Sequence, residues 1–243
     1  MTRVEIGSIV KTVKKWNPCK DAPNDYFLYV DISSVDKSMK EIVEATQIRG
    51  LNAPGRAQQL LNSGDILVST VRPNLNGVAF VHASHHNATA STGYCVLRPD
   101  LTKINARYLF QWVRTPQFID EMILNSSGAN YPAVTDKIVK VSKIPLPPLE
   151  HQKLIADVLD KADELRRKRQ AALAKLDELL KSVFLDMFGD PVTNPKGWTI
   201  KSIEDVSIKV TDGEHTTPRR VKNGIKLFVL VKTSSDTSSL NCL

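Results

Sequence analysis

Side chains able to form two hydrogen bonds at once gather in two turn-rich loops. Asn52-Ala53-Pro54-Gly55-Arg56-Ala57-Gln58-Gln59 and Arg72-Pro73-Asn74-Leu75-Asn76-Gly77 combine Arg, Asn and Gln with Gly and Pro. Arg pairs with guanine, and Asn or Gln with adenine, when a loop or helix carries them into a groove. Arg56, Arg72, Asn74 and Asn76 are therefore candidate base readers, while Lys14, Lys15 and Arg49 suit phosphate contacts. A solvated polar loop accounts for any one of these residues, so the expectation rests on the loops as groups. Asn130-Tyr131-Pro132 can stack on or bond to a base, or equally brace the domain from a buried loop.

His82, His85 and His86 invite a metal reading, since imidazole is a common ligand. No Cys or carboxylate stands at a supporting spacing nearby. A polar turn between strands, with His85 and His86 facing DNA, is expected instead, and no metal. Catalytic motifs are missing too: no GxGxxG, GxxxxGK[ST], HExxH or GxSxG occurs. Neither Asn17-Pro18-Cys19 nor Asn194-Pro195-Lys196 supplies the Asn-Pro-Pro or Asp-Pro-Pro of an amino-methyltransferase. A non-catalytic binding module without cofactor follows as the expectation.

The elements that must position these residues fall into three segments. From Glu150 to Phe188 there is no Gly or Pro, and Ile155, Val158, Ala162, Leu165, Ala172, Leu176, Leu179 and Val183 recur in a 3-4 alternation interrupted by Arg169. This is a heptad seam on a helix roughly 58 Å long, longer than a small domain is wide, so the helix is expected to project as an arm. Leu159, Leu173, Leu180, Phe184 and Met187 widen the stripe. A lone helix would leave it in water, and no second long heptad stretch occurs, so the partner helix is expected from another chain. Arg166-Arg167-Lys168-Arg169 wraps round the helix at about 100° per residue, so mostly solvated charge is expected there. Arg169 stands apart, because a polar seam residue can fix register at a cost in stability.

Before the arm, residues 1–149 read as α+β. Strands are expected at Phe27–Ile32, Asp65–Val71, Gly77–Val81 and Gly93–Leu97, and helices at Asn105–Trp112, Pro116–Leu124 and from Thr135 to Val141. After Gly189-Asp190-Pro191 ends the helix, Ser202-Ile203-Glu204-Asp205-Val206 resembles Glu5-Ile6-Gly7-Ser8-Ile9 at an offset of about 200 residues. Residues 189–243 thus read as the start of a second domain with a Ser-rich tail expected to lack order.

The chain has 243 residues and a net charge of +7; residues 1–149 hold 17 Lys and Arg against 12 Asp and Glu, the arm 8 against 8, and residues 189–243 8 against 6. The excess lies outside the arm, where it would attract a polyanion. Cys19, Cys95 and Cys242 match no disulfide framework or metal spacing, which points to a reducing compartment. With no bilayer-spanning apolar run and no signal-peptide core, a cytoplasmic protein is expected.

Several fragments then fall in a known order. Trp16-Asn17-Pro18 precedes Phe27-Leu28-Tyr29-Val30-Asp31-Ile32-Ser33-Ser34-Val35-Asp36; Gly64-Asp65-Ile66-Leu67-Val68-Ser69 with Arg72-Pro73 follows, then Gly128-Ala129-Asn130-Tyr131-Pro132-Ala133-Val134. Ile144-Pro145-Leu146-Pro147-Pro148-Leu149-Glu150-His151-Gln152 enters the helix, Met187-Phe188-Gly189-Asp190-Pro191 closes it, and Asp212-Gly213-Glu214-His215-Thr216-Thr217-Pro218 follows. Together they resemble the specificity subunits of type I restriction-modification systems, up to about Lys226. The resemblance implies a target-recognition domain (1–149) that reads half of a bipartite double-stranded DNA target, a conserved coiled-coil helix (150–188) as spacer and methyltransferase dock, and an incomplete second recognition domain (189–243). It further implies methyltransferase subunits and a motor-nuclease subunit as partners, which carry the catalysis. A full subunit has two recognition domains and two long helices, whereas this sequence has one of each, so a frameshift or early stop is one hypothesis. Half-size subunits of this family can act as homodimers with antiparallel helices. An inactive relic, a coiled-coil adaptor that binds no DNA, and an intrinsic nuclease or methyltransferase are the rival readings.

Overall fold

The computed structural model describes residues 2–128, 130–208, 228–231 and 239–242, the last two segments through their backbone alone. In chain order the strands are β1 (Arg3–Glu5), β2 (Val10–Lys11), β3 (Tyr26–Val30), β4 (Val35–Asp36), β5 (Glu41–Ile42), β6 (Thr46–Arg49), β7 (Ala57–Leu60), β8 (Ile66–Ser69), β9 (Val78–Phe80), β10 (Thr89–Ser91), β11 (Tyr94–Pro99), β12 (Lys143–Pro145), β13 (Phe228–Val231) and β14 (Ser239–Cys242). The helices are α1 (Pro18–Asp21), α2 (Ala106–Trp112), α3 (Pro116–Leu124), α4 (Asp136–Val141), α5 (Leu149–Phe188) and α6 (Ile203–Val206). The chain divides into two compact units, Met1–Asp177 and Glu178–Leu243.

Two four-stranded sheets organise the first unit. One has the order β6-β3-β10-β7, with β3 and β10 parallel, and the other the antiparallel order β2-β11-β8-β9. Successive strand residues face opposite sides. On β8 and β11, Ile66, Val68, Cys95 and Leu97 accordingly bury one way among Leu109, Phe118 and Val139 of α2, α3 and α4. Leu67, Tyr94 and Val96 bury the other way, among Val30 and Ala90 of the first sheet. Helices, sheet and sheet therefore form three layers, and the middle strands read as unbroken apolar runs because both faces are covered.

The helix starts follow local capping chemistry. The side chains of Asn105, Thr115 and Thr135 accept from the backbone N–H groups of Tyr108, Phe118 and Ile138, satisfying donors that a first turn leaves open. β1 pairs with β12, which brings the beginning of the chain beside the lead-in to α5.

In the second unit, Gly189 (φ +79°) bonds back to the Leu185 carbonyl at 2.8 Å and ends α5. Trp198 Nε1 and Lys196 Nζ donate to the last-turn carbonyls of Phe188 (2.8 Å) and Met187 (2.7 Å). Ile203–Val206 is a single helical turn, as is Ile6–Ser8 in the first unit. The motif at 212–218 lies outside the described residues, as do 232–238 of the Ser-rich tail. Ser239–Cys242, also in that tail, pairs antiparallel with β13. Among the described residues no helix is long and apolar enough to cross a membrane.

Candidate nucleic-acid interface

Loops from four parts of the first unit converge on a cleft of about 480 Å³ whose walls include Asp31, Lys37, Arg56, Arg72, Leu75 and Tyr131. Arg72 and Asn76 flank a tight turn over Pro73–Leu75, both in the left-handed region (φ +50° and +47°). Such strain persists only where the surroundings impose it. Here the Arg72 N–H donates to the Pro132 carbonyl (2.7 Å), and Lys40 Nζ donates to the Asn76 carbonyl (2.6 Å). The loop carrying Tyr131 is closed at its base by bridges from Ala133 to Ser127 and Val71. At Gly128 (φ +103°) a Cβ would sit 2.7 Å from the Tyr131 carbonyl, so this sharp bend requires glycine. The bend leaves the Tyr131 ring exposed, with the Arg72 guanidinium 4.1 Å from its centroid. Also lining the cleft, Arg56 Nη2 donates to Asp31 Oδ2 at 3.0 Å.

The structure thus brings Arg56, Arg72 and Tyr131 together. Asn74 and Asn76 sit on the adjacent turn and Asn130 beside Tyr131. Asn76 Oδ1 is buried without a hydrogen-bond partner among the described residues. Other candidates lie outside the cleft. Lys14 and Lys15 are on a segment paired with β7, and Arg49 at the end of β6 donates to Asn24 Oδ1 (2.6 Å). His86 Nδ1 accepts from the Ser63 N–H (3.3 Å), while His85 contacts Ser84 Oγ; burial, with His82 adding to it, depresses the His85 pKa. Lys37 and Asp31 are cleft residues that the loop-by-loop reading of base-pairing side chains missed.

A second polar assembly joins the arm to the globular part. Arg107 Nε and Gln111 Nε2 of α2 each donate to Asp160 at 2.7 Å, and Arg114 pairs with Asp163. Arg167 pairs with Glu41 and donates to the Met39 carbonyl (2.9 Å). Gln152 is buried, accepts from the Asn105 N–H (2.8 Å) and donates to the Pro147 carbonyl (2.8 Å). Two expectations are corrected. The first half of the helix does not simply project, because its polar face is docked on α2 and on the β4–β5 hairpin. Nor is the Arg166–Arg169 run uniformly solvated, since Arg167 is half-buried in that dock; Arg166 pairs with Asp163 (3.3 Å), and Lys168 with Glu164 (2.6 Å).

The sequence profile described as "Type I restriction modification DNA specificity domain" matches residues 4–175. This chain belongs to that family. It is 28% identical over 178 residues to the HindI specificity subunit of Haemophilus influenzae, covering 71% of this chain and 35% of that one. The EcoDI specificity subunit of Escherichia coli is 27% identical over 135 residues, 54% of this chain and 29% of that one. Among solved structures, the HsdS subunit from Thermoanaerobacter tengcongensis superposes with a TM-score of 0.62 at 32% identity, covering 82% of this chain and 51% of that one. A chain from a structure on complex assembly and conformational transition of the type I R-M system gives 0.66 at 31% identity, with the same coverage. This chain therefore spans about a third of the length of these curated relatives and half of the solved ones.

The arm presents two different faces. Counted at 100° per residue, the docked face (Gln152, Ala156, Asp160, Asp163, Arg167) lies about 160° round the helix from the predicted seam. The seam residues Ile155, Val158, Leu165, Leu176, Leu179 and Val183 are 37–61% exposed, and Ala162, Arg169 and Ala172 are exposed as well.

Lys40, beside the arm dock, gives a pH signature. Burial, then the Arg114 and Arg166 charges, lower its pKa from 10.5 to about 8, with Asp36 opposing. Between those values the unfolded chain holds a proton that the folded chain has released, so folding stability rises as pH climbs from about 8 towards 10.5. Below about pH 8 both states are protonated and the cost of the buried charge is fully felt. Lys40→Met is expected to flatten this rise in urea midpoints measured from about pH 7.5 to 10; a slope identical to that of the parent would refute the assignment.

Proposed function

We propose that this chain supplies DNA sequence specificity to a type I restriction-modification system, reading one half-site of a bipartite double-stranded target with the cleft of its globular domain. The observation that carries this reading is the convergence of Arg56, Arg72 and Lys37 from three separate segments on one concave surface, in a chain whose family is named for DNA specificity. Lys14, Lys15 and Arg49 provide outlying charge for phosphates, and Asn74, Asn76 and Asn130 flank the cleft. His85 and His86 approach DNA only where the duplex extends beyond it.

In this reading the chain is non-catalytic. α5 is the spacer, its apolar face packs antiparallel on the arm of a second copy, and the paired arms recruit methyltransferase subunits, with a motor-nuclease subunit joining the assembly. Two copies related by a two-fold axis would read a symmetric bipartite site. The test is footprinting of the purified chain on duplex libraries. Protection of two short segments with a constant spacer is the expected result. Sequence-independent binding without protection would sink the reading and favour an adaptor that uses only the exposed arm stripe.

A further inference from the structure

We propose that the cleft reads guanine, with Arg56 and Arg72 as the base-reading side chains and Asp31 and Tyr131 as the groups that position them. This rests on the half-site reading above and goes further by naming the base. Arginine offers a planar fork of N–H donors that fits two acceptors lying in one plane, and guanine presents such a pair, O6 and N7, in the major groove. A long side chain can hold that fork ready only if something fixes it. Both cleft arginines are fixed.

Arg56 is tied by Nη2 to Asp31 Oδ2 (3.0 Å), and Asp31 is itself anchored, its Oδ1 accepting from Tyr29 Oη at 3.3 Å. The bond uses one of the two Nη2 hydrogens and so one edge of the guanidinium, and leaves the other two-pronged edge available. The same carboxylate separates base reading from phosphate binding: it offsets the charge of Arg56 and repels a phosphate, while a neutral base edge meets neither obstacle. Arg72 is held differently. Its guanidinium lies 4.1 Å from the Tyr131 ring centroid, so the ring covers one face and the in-plane N–H edges stay open. Its backbone is pinned in the left-handed region by the bond to the Pro132 carbonyl. Lys37 is an exposed point charge lining the same cleft and suits a phosphate. Among the described residues no Asn or Gln lines the cleft to favour adenine.

The experiment is selection from randomised duplexes by the full chain at fixed salt, repeated with Arg56→Lys, Arg72→Lys and Asp31→Asn. Lysine keeps the charge and loses the fork. The parent is expected to select guanine at two or more positions, and each Lys variant to lose roughly 5- to 150-fold discrimination at one of them. Asp31→Asn should relax the same position as Arg56→Lys, an effect that a merely structural role would not confine to one base. Matching thermal unfolding of the variants shows that they are folded. A selected site without guanine, or Lys variants that weaken all sequences alike, would overturn the guanine assignment while leaving half-site reading intact. A parent chain that selects no sequence would overturn the half-site reading itself.

Discussion

Replacing Leu176 with Asp is expected to turn a dimer of twice 27.0 kDa into a monomer of 27.0 kDa in light scattering. Leu176 is 55% exposed within one chain, so its own fold gains little from it. In a paired-arm dimer it would be buried, at about 1.5–3 kcal/mol per leucine side chain, and two-fold symmetry counts that twice. The substitution removes both contributions and adds the cost of desolvating two carboxylates. Even about 3 kcal/mol is more than a hundredfold in the dissociation constant. The thermal transition of the globular domain should stay where it is. An unchanged mass would refute the seam, and a monomeric parent would assign the stripe to a methyltransferase subunit instead.

The exposed apolar stripe of α5 is legible in the sequence because apolar spacing on a long helix without Gly or Pro marks one face. The opposite face is not. Asp160, Asp163 and Arg167 look like ordinary solvated charges until Arg107, Gln111 and Arg114 are placed across from the two carboxylates and Glu41 across from Arg167. A signal does exist, since those three residues of α2 and its end also recur at spacings of four and three. Among strands, β8, β9 and β11 are legible as apolar runs, whereas β7 (Ala57-Gln58-Gln59-Leu60) and β10 (Thr89-Ala90-Ser91) are too polar and too short. Gln59 shows why they form: it is buried, and its Nε2 donates to the carbonyls of Ser91 (2.9 Å) and Tyr94 (2.7 Å). Only non-local pairing makes that burial tolerable, and no local pattern encodes it. The cleft follows the same rule. Its arginines stand out in their loops, but Asp31 and Lys37 belong to it only through the fold.

The largest stability effect is expected at Asp65. It is 1% exposed at the entrance to β8, and Arg98 of β11 grips it with two bonds, Nε to Oδ1 at 2.9 Å and Nη2 to Oδ2 at 2.7 Å. Arg98 Nη2 also donates to the Leu60 carbonyl of β7 (2.9 Å), so one guanidinium links the two sheets. Asp65→Asn keeps the shape but leaves Arg98 partly buried without its counter-charge, which typically costs about 3–5 kcal/mol. Against a total stability of about 5–15 kcal/mol, that is a large share. For a chain of this size it corresponds to a melting temperature lower by about 6–20 °C. Charge imbalance can be separated from lost contacts by adding Arg98→Met. If the buried charge is the cause, the double variant should recover much of the loss, because a neutral Asn–Met pair leaves no unpaired charge to desolvate, and the substituted amide can still accept from the Asn62 N–H, as the Asp65 carboxylate does at 2.8 Å. A single variant that melts within a degree or two of the parent would mean that solvent already reaches the pair and that the sheets are held by apolar burial alone.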